Sequence, residues 1–304
     1  MVEYPFTWAP GWSFSRMRTF RTCLRQYWYQ YYAPRVLEGS EKRKVQELRS
    51  LSSVNIEVGN AVHNTIAEVI KDLSLTGRFL GEDEVLDIAE NKFRVLISNK
   101  PMFEDRYGQT ITDERIDEAV AKVRTGISGF YSSQWPALLN GVPPGSRGEW
   151  AIDPPGYGEF RFEGRKAYAK PDLVFRAEDG TWHVVDWKTG KPGRDGDILQ
   201  VQSYMYFTKV NYGIPLEEMA GTVEYLASPS EDPVTIEGTL VDGLELRNRI
   251  IGDMDAIESM CVDVENNRPR PVQEFVKTET ERTCGRCNYR EVCAPNVVQS
   301  TLDV

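Results

Sequence analysis

Apolar positions recur at helical spacing through the first half of the chain and turn to strand-like alternation after residue 148. In residues 57–73, Val58, Val62, Ile66, Val69, Ile70 and Leu73 are spaced by threes and fours, which predicts a helix. Ser13 or Ser15 caps a predicted helix over 16–32 that Pro34 ends. Residues 82–98 and 112–139 read as two further amphipathic helices, and the charged stretch 41–49 as a helix or a mobile connection. The run from Asn140 to Gly148, dense in proline and glycine, is the strongest break in the chain. Beyond it 149–152, 159–163, 166–176 and 181–188 read as strands, with a turn at Glu178, Asp179 and Gly180 between the last two. A helix over 198–212, strands around 222–226 and 235–238, a helix over 242–267 and a cysteine-rich tail follow. The expected fold class is α/β, with helices flanking a small central sheet. The divisions fall at 1–148 (helical lobe), 149–267 (core sheet and helices) and 268–304 (tail).

Composition narrows the class without naming a function. The chain has 304 residues, 40% of them hydrophobic and 27% charged, enough for a real core and too apolar for general disorder. No run approaches ~18 apolar residues and the start lacks the layout of a signal peptide, so a cytoplasmic protein with no membrane association is expected. The net charge of −10 disfavours non-specific nucleic-acid binding, but it is unevenly spread. Residues 1–50 are net basic, with Arg16, Arg18, Arg21 and Arg25 interleaved among Phe14, Phe20, Tyr27, Trp28, Tyr29, Tyr31 and Tyr32. Arginines among stackable rings suit a single strand of nucleic acid; they equally suit a helix with one aromatic core face and one solvated face.

The candidate chemistry lies in three places. Residues 184–188 read Val-Val-Asp-Trp-Lys, and strand alternation sends Asp186 and Lys188 to one side and Trp187 to the other. Asp172 heads the apolar run before it, so two carboxylates one hairpin apart could share Mg²⁺ or Mn²⁺, with Lys188 assisting at a phosphate. The plain alternative is a surface ion pair and a turn cap, against which the apolar flanks Val184 and Val185 point to burial. Gln200 and Tyr204, four apart in a predicted helix, share a face. Of the two histidines, His183 falls opposite Asp186 and reads as structural or exposed. His63 lies on or beside the apolar face of its helix, as a core residue or, if that helix crosses the strand ends, a ligand. Cys284, Cys287 and Cys293 form a C-x₂-C-x₅-C trio, one thiolate short of a tetrahedral site, with Cys23 and Cys261 as candidates for the fourth and Zn²⁺ or a [4Fe–4S] cluster as the occupant.

Taken in order, Ser15, Arg16, Phe20, Cys23 and Tyr27, then Gly59 to His63, Asp172, Asp186-Trp187-Lys188, Gln200 to Tyr204, and the cysteine trio resemble the RecB-like branch of the PD-(D/E)XK nucleases. Within it the chain is similar to the CRISPR-associated exonuclease family, its phage-encoded relatives and the nuclease domain of AddB-type recombination enzymes. The resemblance implies a restriction-endonuclease-like sheet. It also implies Mg²⁺ or Mn²⁺ on His63, Asp172, Asp186 and the Trp187 carbonyl, with Glu149 as a nearby acid. Lys188 would be the catalytic lysine and Gln200 and Tyr204 the Gln-x-x-x-Tyr motif. Cys23, Cys284, Cys287 and Cys293 would hold a [4Fe–4S] cluster that clamps the two ends of the chain. The lead-in Ala169-Lys170-Pro171 departs from relatives that carry glycine there. The expected activity is metal-dependent exonucleolytic cleavage of DNA, single-stranded or with single-stranded ends, guided in by the N-terminal arginines and rings, in recombination, repair or CRISPR adaptation. A helicase, integrase or recombination protein would be the partner. Two other classes stay open on sequence: a non-catalytic subunit that binds DNA ends, and a zinc-stabilised DNA-binding module.

Overall fold

Ser13 accepts a hydrogen bond from the amide of Arg16 and starts α1 (Phe14–Thr22). The expected helix over 16–32 is not continuous. Cys23 adopts an extended backbone, and its thiol accepts from the amide of Gln26 to cap α2 (Leu24–Tyr31). Pro34 does not close that helix but sits in the first turn of α3 (Ala33–Val36), where the missing N–H costs nothing. The charged stretch forms α4 (Gly39–Ser50), followed by α5 (Val54–Thr76), α6 (Glu82–Asn99) and α7 (Phe103–Arg106). The periodic stretch 112–139 breaks into α8 (Asp113–Ser132) and α9 (Trp135–Gly141), with Pro136 in the first turn of the second. The computed structural model describes residues 2, 4–154, 156, 158–228, 231–241 and 243–293, so position 242 and the tail beyond Cys293 lie outside the described residues.

The strands are β1 (Ala151–Ile152), β2 (Glu159–Phe162), β3 (Arg165–Tyr168), β4 (Leu173–Arg176), β5 (Trp182–Lys188), β6 (Met219–Tyr225) and β7 (Val234–Glu237). The expected strand 166–176 is two strands in two sheets: β3 pairs with β2 in a hairpin, and the chain crosses at Ala169–Asp172 to enter the main sheet as β4. Pro171, which lacks a ladder donor, sits at that crossing. The main sheet has five strands in the order β1-β4-β5-β6-β7. Its β5–β6 pair is parallel and bridged by α10 (Arg194–Tyr212); the other pairs are antiparallel. The last expected helix stops early, as α11 (Gly243–Ser259), and a small hairpin of β8 (Cys261–Asp263) and β9 (Arg268–Pro269) replaces its end. Short helices α12 (Glu281–Cys284) and α13 (Arg290–Cys293) carry Cys284 and Cys293, with Cys287 in the segment between them. Among the described residues no helix is long and apolar enough to cross a membrane.

Period-two alternation in β4 and β5 builds a core on each face of the sheet. Leu173, Phe175, Val185 and Trp187 join α5, α6, α8 and α9 on one side. Val174 and Val184 join α10, α11 and the first helices on the other. The N-terminal aromatic stretch is part of that second core: Tyr27 and Tyr32 are fully enclosed, and Trp28 and Tyr29 are buried. Three of its four arginines are engaged as well. Arg16 donates to the Tyr27 hydroxyl and the Gly11 carbonyl, Arg21 pairs with the buried Asp253, and Arg25 donates to the Phe275 carbonyl. Of the two readings of this stretch, the structure realises the aromatic core face. Arg18 is left exposed on the same stretch.

Candidate active site

The antiparallel register of β4 and β5 sets Leu173 opposite Val185, which brings Asp172, just ahead of β4, beside Asp186 and Trp187. One Asp172 oxygen accepts the Trp187 amide at 2.8 Å and the other stands 3.1 Å from Nδ1 of His63. Thus α5 does cross the strand ends, and its imidazole meets the first aspartate. Gly59, one turn before His63, faces the Thr189 side chain just past β5. Trp187 turns its ring away, against Phe130 and Trp135, as strand alternation requires.

Asp186 is 4% exposed. The Lys188 ammonium lies 2.6 Å from its Oδ2, but that oxygen makes no hydrogen bond of normal geometry. Burial pushes the Asp186 carboxyl up to about 6; Lys188 opposes the rise and the Asp172 charge adds to it. Burial disfavours the charged form of His63 too, yet the Asp172 carboxylate outweighs it and the imidazole pKa is raised. From α10, Gln200 Oε1 accepts from Lys188 at 2.7 Å, and Gln200 Nε2 donates to the Tyr204 hydroxyl at 2.6 Å. Tyr204 is held well above the usual phenol range by burial and then by the charges of Asp186 and Asp172, so it stays neutral. A chain of contacts therefore runs from Tyr204 through Gln200 to Lys188 and Asp186.

Glu149, expected at a strand start, closes a 3-10 turn ahead of β1 and is exposed. That turn is fixed by the buried Arg147 guanidinium, which donates to the carbonyls of Val142, Leu73 and Asn140. The acid set next to Asp172 is Asp153, whose amide donates to the Asp172 carbonyl at 2.9 Å. Nothing in its one-dimensional surroundings marks it, because the β1–β4 pairing alone brings it there. His183 is structural, stacked on Phe175 and edge-on to Trp135.

The cysteines separate by place. Cys261 is buried beside the Tyr32 hydroxyl. Cys23, Cys284, Cys287 and Cys293 line one cavity of about 950 Å³. Burial pushes the Cys287 thiol up to about 11, and the charges of the other three thiols add to the rise. Among the described residues no three or more His, Cys, Asp or Glu side chains stand together as a ready-made metal set. The donor chemistry nevertheless fits the implied groups. Two carboxylates, one with a buried oxygen lacking a hydrogen bond, and an imidazole suit a hard divalent cation, and four sulfurs around one cavity suit a thiophilic group.

This mixed five-stranded sheet flanked by helices is a restriction-endonuclease-like fold. Residues 11–294 match the PD-(D/E)XK nuclease superfamily, and the chain belongs to that superfamily. No curated protein matches it. The crystal structure of SSO0001 aligns with 90% of this chain and 94% of its own at 12% identity, with a TM-score of 0.30, too loose a superposition to bear on the fold.

Proposed function

We propose that this chain is a metal-dependent DNA exonuclease that hydrolyses phosphodiester bonds at the ends of β4 and β5. The superfamily supports a nuclease acting on DNA, and its members typically use Mg²⁺ or Mn²⁺. The observation that carries the reading is the meeting of His63 with Asp172, at 3.1 Å, beside the buried Asp186 and its lysine. His63, Asp172, Asp186 and the Trp187 carbonyl would hold the cation, which supplies Lewis acidity toward the phosphodiester. Lys188, oriented by Gln200, offers an ammonium that steadies negative charge growing on the phosphate and can hand a proton to the departing oxygen. Tyr204 accepts from the Gln200 amide nitrogen and so leaves the amide oxygen facing the lysine. The ordered motifs, from the N-terminal cysteine to the trio, support the narrower reading: action from a DNA end, with a [4Fe–4S] cluster on Cys23, Cys284, Cys287 and Cys293. The setting would be recombination, repair or CRISPR adaptation, with a helicase or integrase as partner.

The test is digestion of 5′- and 3′-labelled single-stranded and duplex oligonucleotides in Mn²⁺ by the wild type and by Lys188→Ala. Stepwise shortening by the wild type, with a loss of at least ~100-fold in the variant, is expected. Internal cuts alone would remove the exonuclease assignment. Equal activity in the variant would remove the site.

A further inference from the structure

We propose that Lys71 and Lys170, tied together by Asp153, form a subsite that grips a backbone phosphate of the nucleic acid next to the one being cut. The proposal rests on the nuclease reading above. Asp153 directly follows β1, and its amide donates to the carbonyl of Asp172 at 2.9 Å. Its carboxylate lies 2.6 Å from the Lys170 ammonium and 4.0 Å from that of Lys71. The two lysines arrive from different directions. Lys170 is two residues before Asp172 in the crossing from β3 to β4, and Lys71 lies on α5, about two turns or ~12 Å beyond His63. Two of the three elements that carry candidate cation ligands therefore also carry one of these ammonium groups.

Two features set the trio apart from ordinary surface pairing. Asp153 has φ 43°, a left-handed backbone that costs a non-glycine residue strain and that concentrates at functional sites. The three side chains are 45%, 39% and 44% exposed for Lys71, Lys170 and Asp153, and pairs that open to water stabilise a fold little. What the trio does provide is a fixed net charge of +1 with ammonium groups free to turn outward, on a chain whose overall charge is −10. Lysine ammonium groups bind phosphate as point charges without demanding one geometry, which suits a strand that must slide between cuts. The Asp153 carboxylate draws the two ammonium groups to one place, and a phosphodiester oxygen can take over from it as their partner.

The experiment compares Lys71→Gln/Lys170→Gln with Lys71→Arg/Lys170→Arg, Asp153→Asn and the wild type. Steady-state cleavage of single-stranded and duplex oligonucleotides in Mn²⁺ gives kcat and KM. Binding of a fluorescent single-stranded oligonucleotide, each variant combined with Lys188→Ala, gives the salt dependence. The double glutamine variant should raise KM at least ~10-fold with kcat within ~2-fold, and flatten the slope of log K against log salt by ~0.7 for each phosphate it no longer neutralises. The arginine pair should restore KM, and Asp153→Asn should not raise it. If the wild type cleaves and the glutamine variant keeps its KM and salt slope, the subsite is refuted and the nuclease reading stands. If Asp153→Asn and the glutamine pair instead raise KM alike while both lower the melting temperature, the trio only holds the turn and the subsite is likewise refuted. A wild type that cleaves no DNA in Mg²⁺ or Mn²⁺ overturns both.

Discussion

Asp186 is the residue on which the site turns. Its carboxyl is enclosed, faces one ammonium, and stands near a second acid, so folding raises its pKa from 3.8 to about 6. A carboxyl raised by folding favours the native state while protonated and forfeits that advantage as the pH climbs. The contribution is therefore complete below 3.8 and gone once the pH has passed about 6. His63, also raised, loses its contribution in the same sense as the pH rises through its folded value. In EDTA, the wild type should lose melting temperature relative to Asp186→Asn as the pH goes from about 4 to above 6. A difference that stays flat or grows with pH would contradict this environment for Asp186. The residue types themselves were open to sequence reading: D-x-K on a strand fixes the shared face of Asp186 and Lys188, and four-residue spacing pairs Gln200 with Tyr204. Whether His63 was a core residue or a site residue was not readable, because that depends on where α5 crosses β4. Asp153 stayed hidden for the same reason.

At the level of elements, periodicity located nearly every helix and strand but misjudged where they break. Cys23 interrupts one helix with an extended backbone and a thiol that caps the next, and the break at Ser133 precedes Pro136, which cannot donate to the Ser132 carbonyl and would clash with it in a continuous helix. The stretch 166–176 looked continuous because alternation persists across it, while its halves belong to different sheets. Close approach between elements is another property that composition conceals. Gly129 on α8 lies against the backbone of Leu226, and a methyl there would collide with the Leu226 carbonyl. The Leu226 amide in turn donates to the Lys188 carbonyl at 2.9 Å. Gly129→Ala should cost about 1–3 kcal/mol of stability through overpacking and lower kcat by displacing the lysine. Gly252→Ala, in α11 with open space around it, should be neutral or gain up to ~1 kcal/mol as a helix-interior replacement. Thermal melts of the two variants check the contrast, and equal effects would refute the packing role.

Over the whole molecule, the N-terminal helices meet the described part of the tail, up to Cys293, around the cysteine cavity. Glu291 pairs with Arg106 and Lys44, and these contacts hold its carboxyl down at about 2. Tyr289 stacks on Tyr29 with ring centroids 5.4 Å apart, and the Tyr29 hydroxyl donates to the Val292 carbonyl. These protein contacts fasten the tail on their own, so a cluster would add to an existing closure. If the four thiols hold iron and sulfide, protein purified without oxygen should absorb near ~400 nm, and Cys287→Ser should lose iron together with ~10 °C or more of melting temperature. A colourless variant as stable as the wild type would count against the clamp.

The central claim is that His63, Asp172 and Asp186 act as one cation site. Electron paramagnetic resonance of Mn²⁺ titrated into the protein without DNA measures that claim directly. The wild type should remove free Mn²⁺ from solution, and His63→Ala should weaken the uptake. Asp172→Ala and Asp186→Ala should abolish it while keeping the circular-dichroism spectrum of the folded chain. Undiminished Mn²⁺ uptake by either folded aspartate variant would contradict the account.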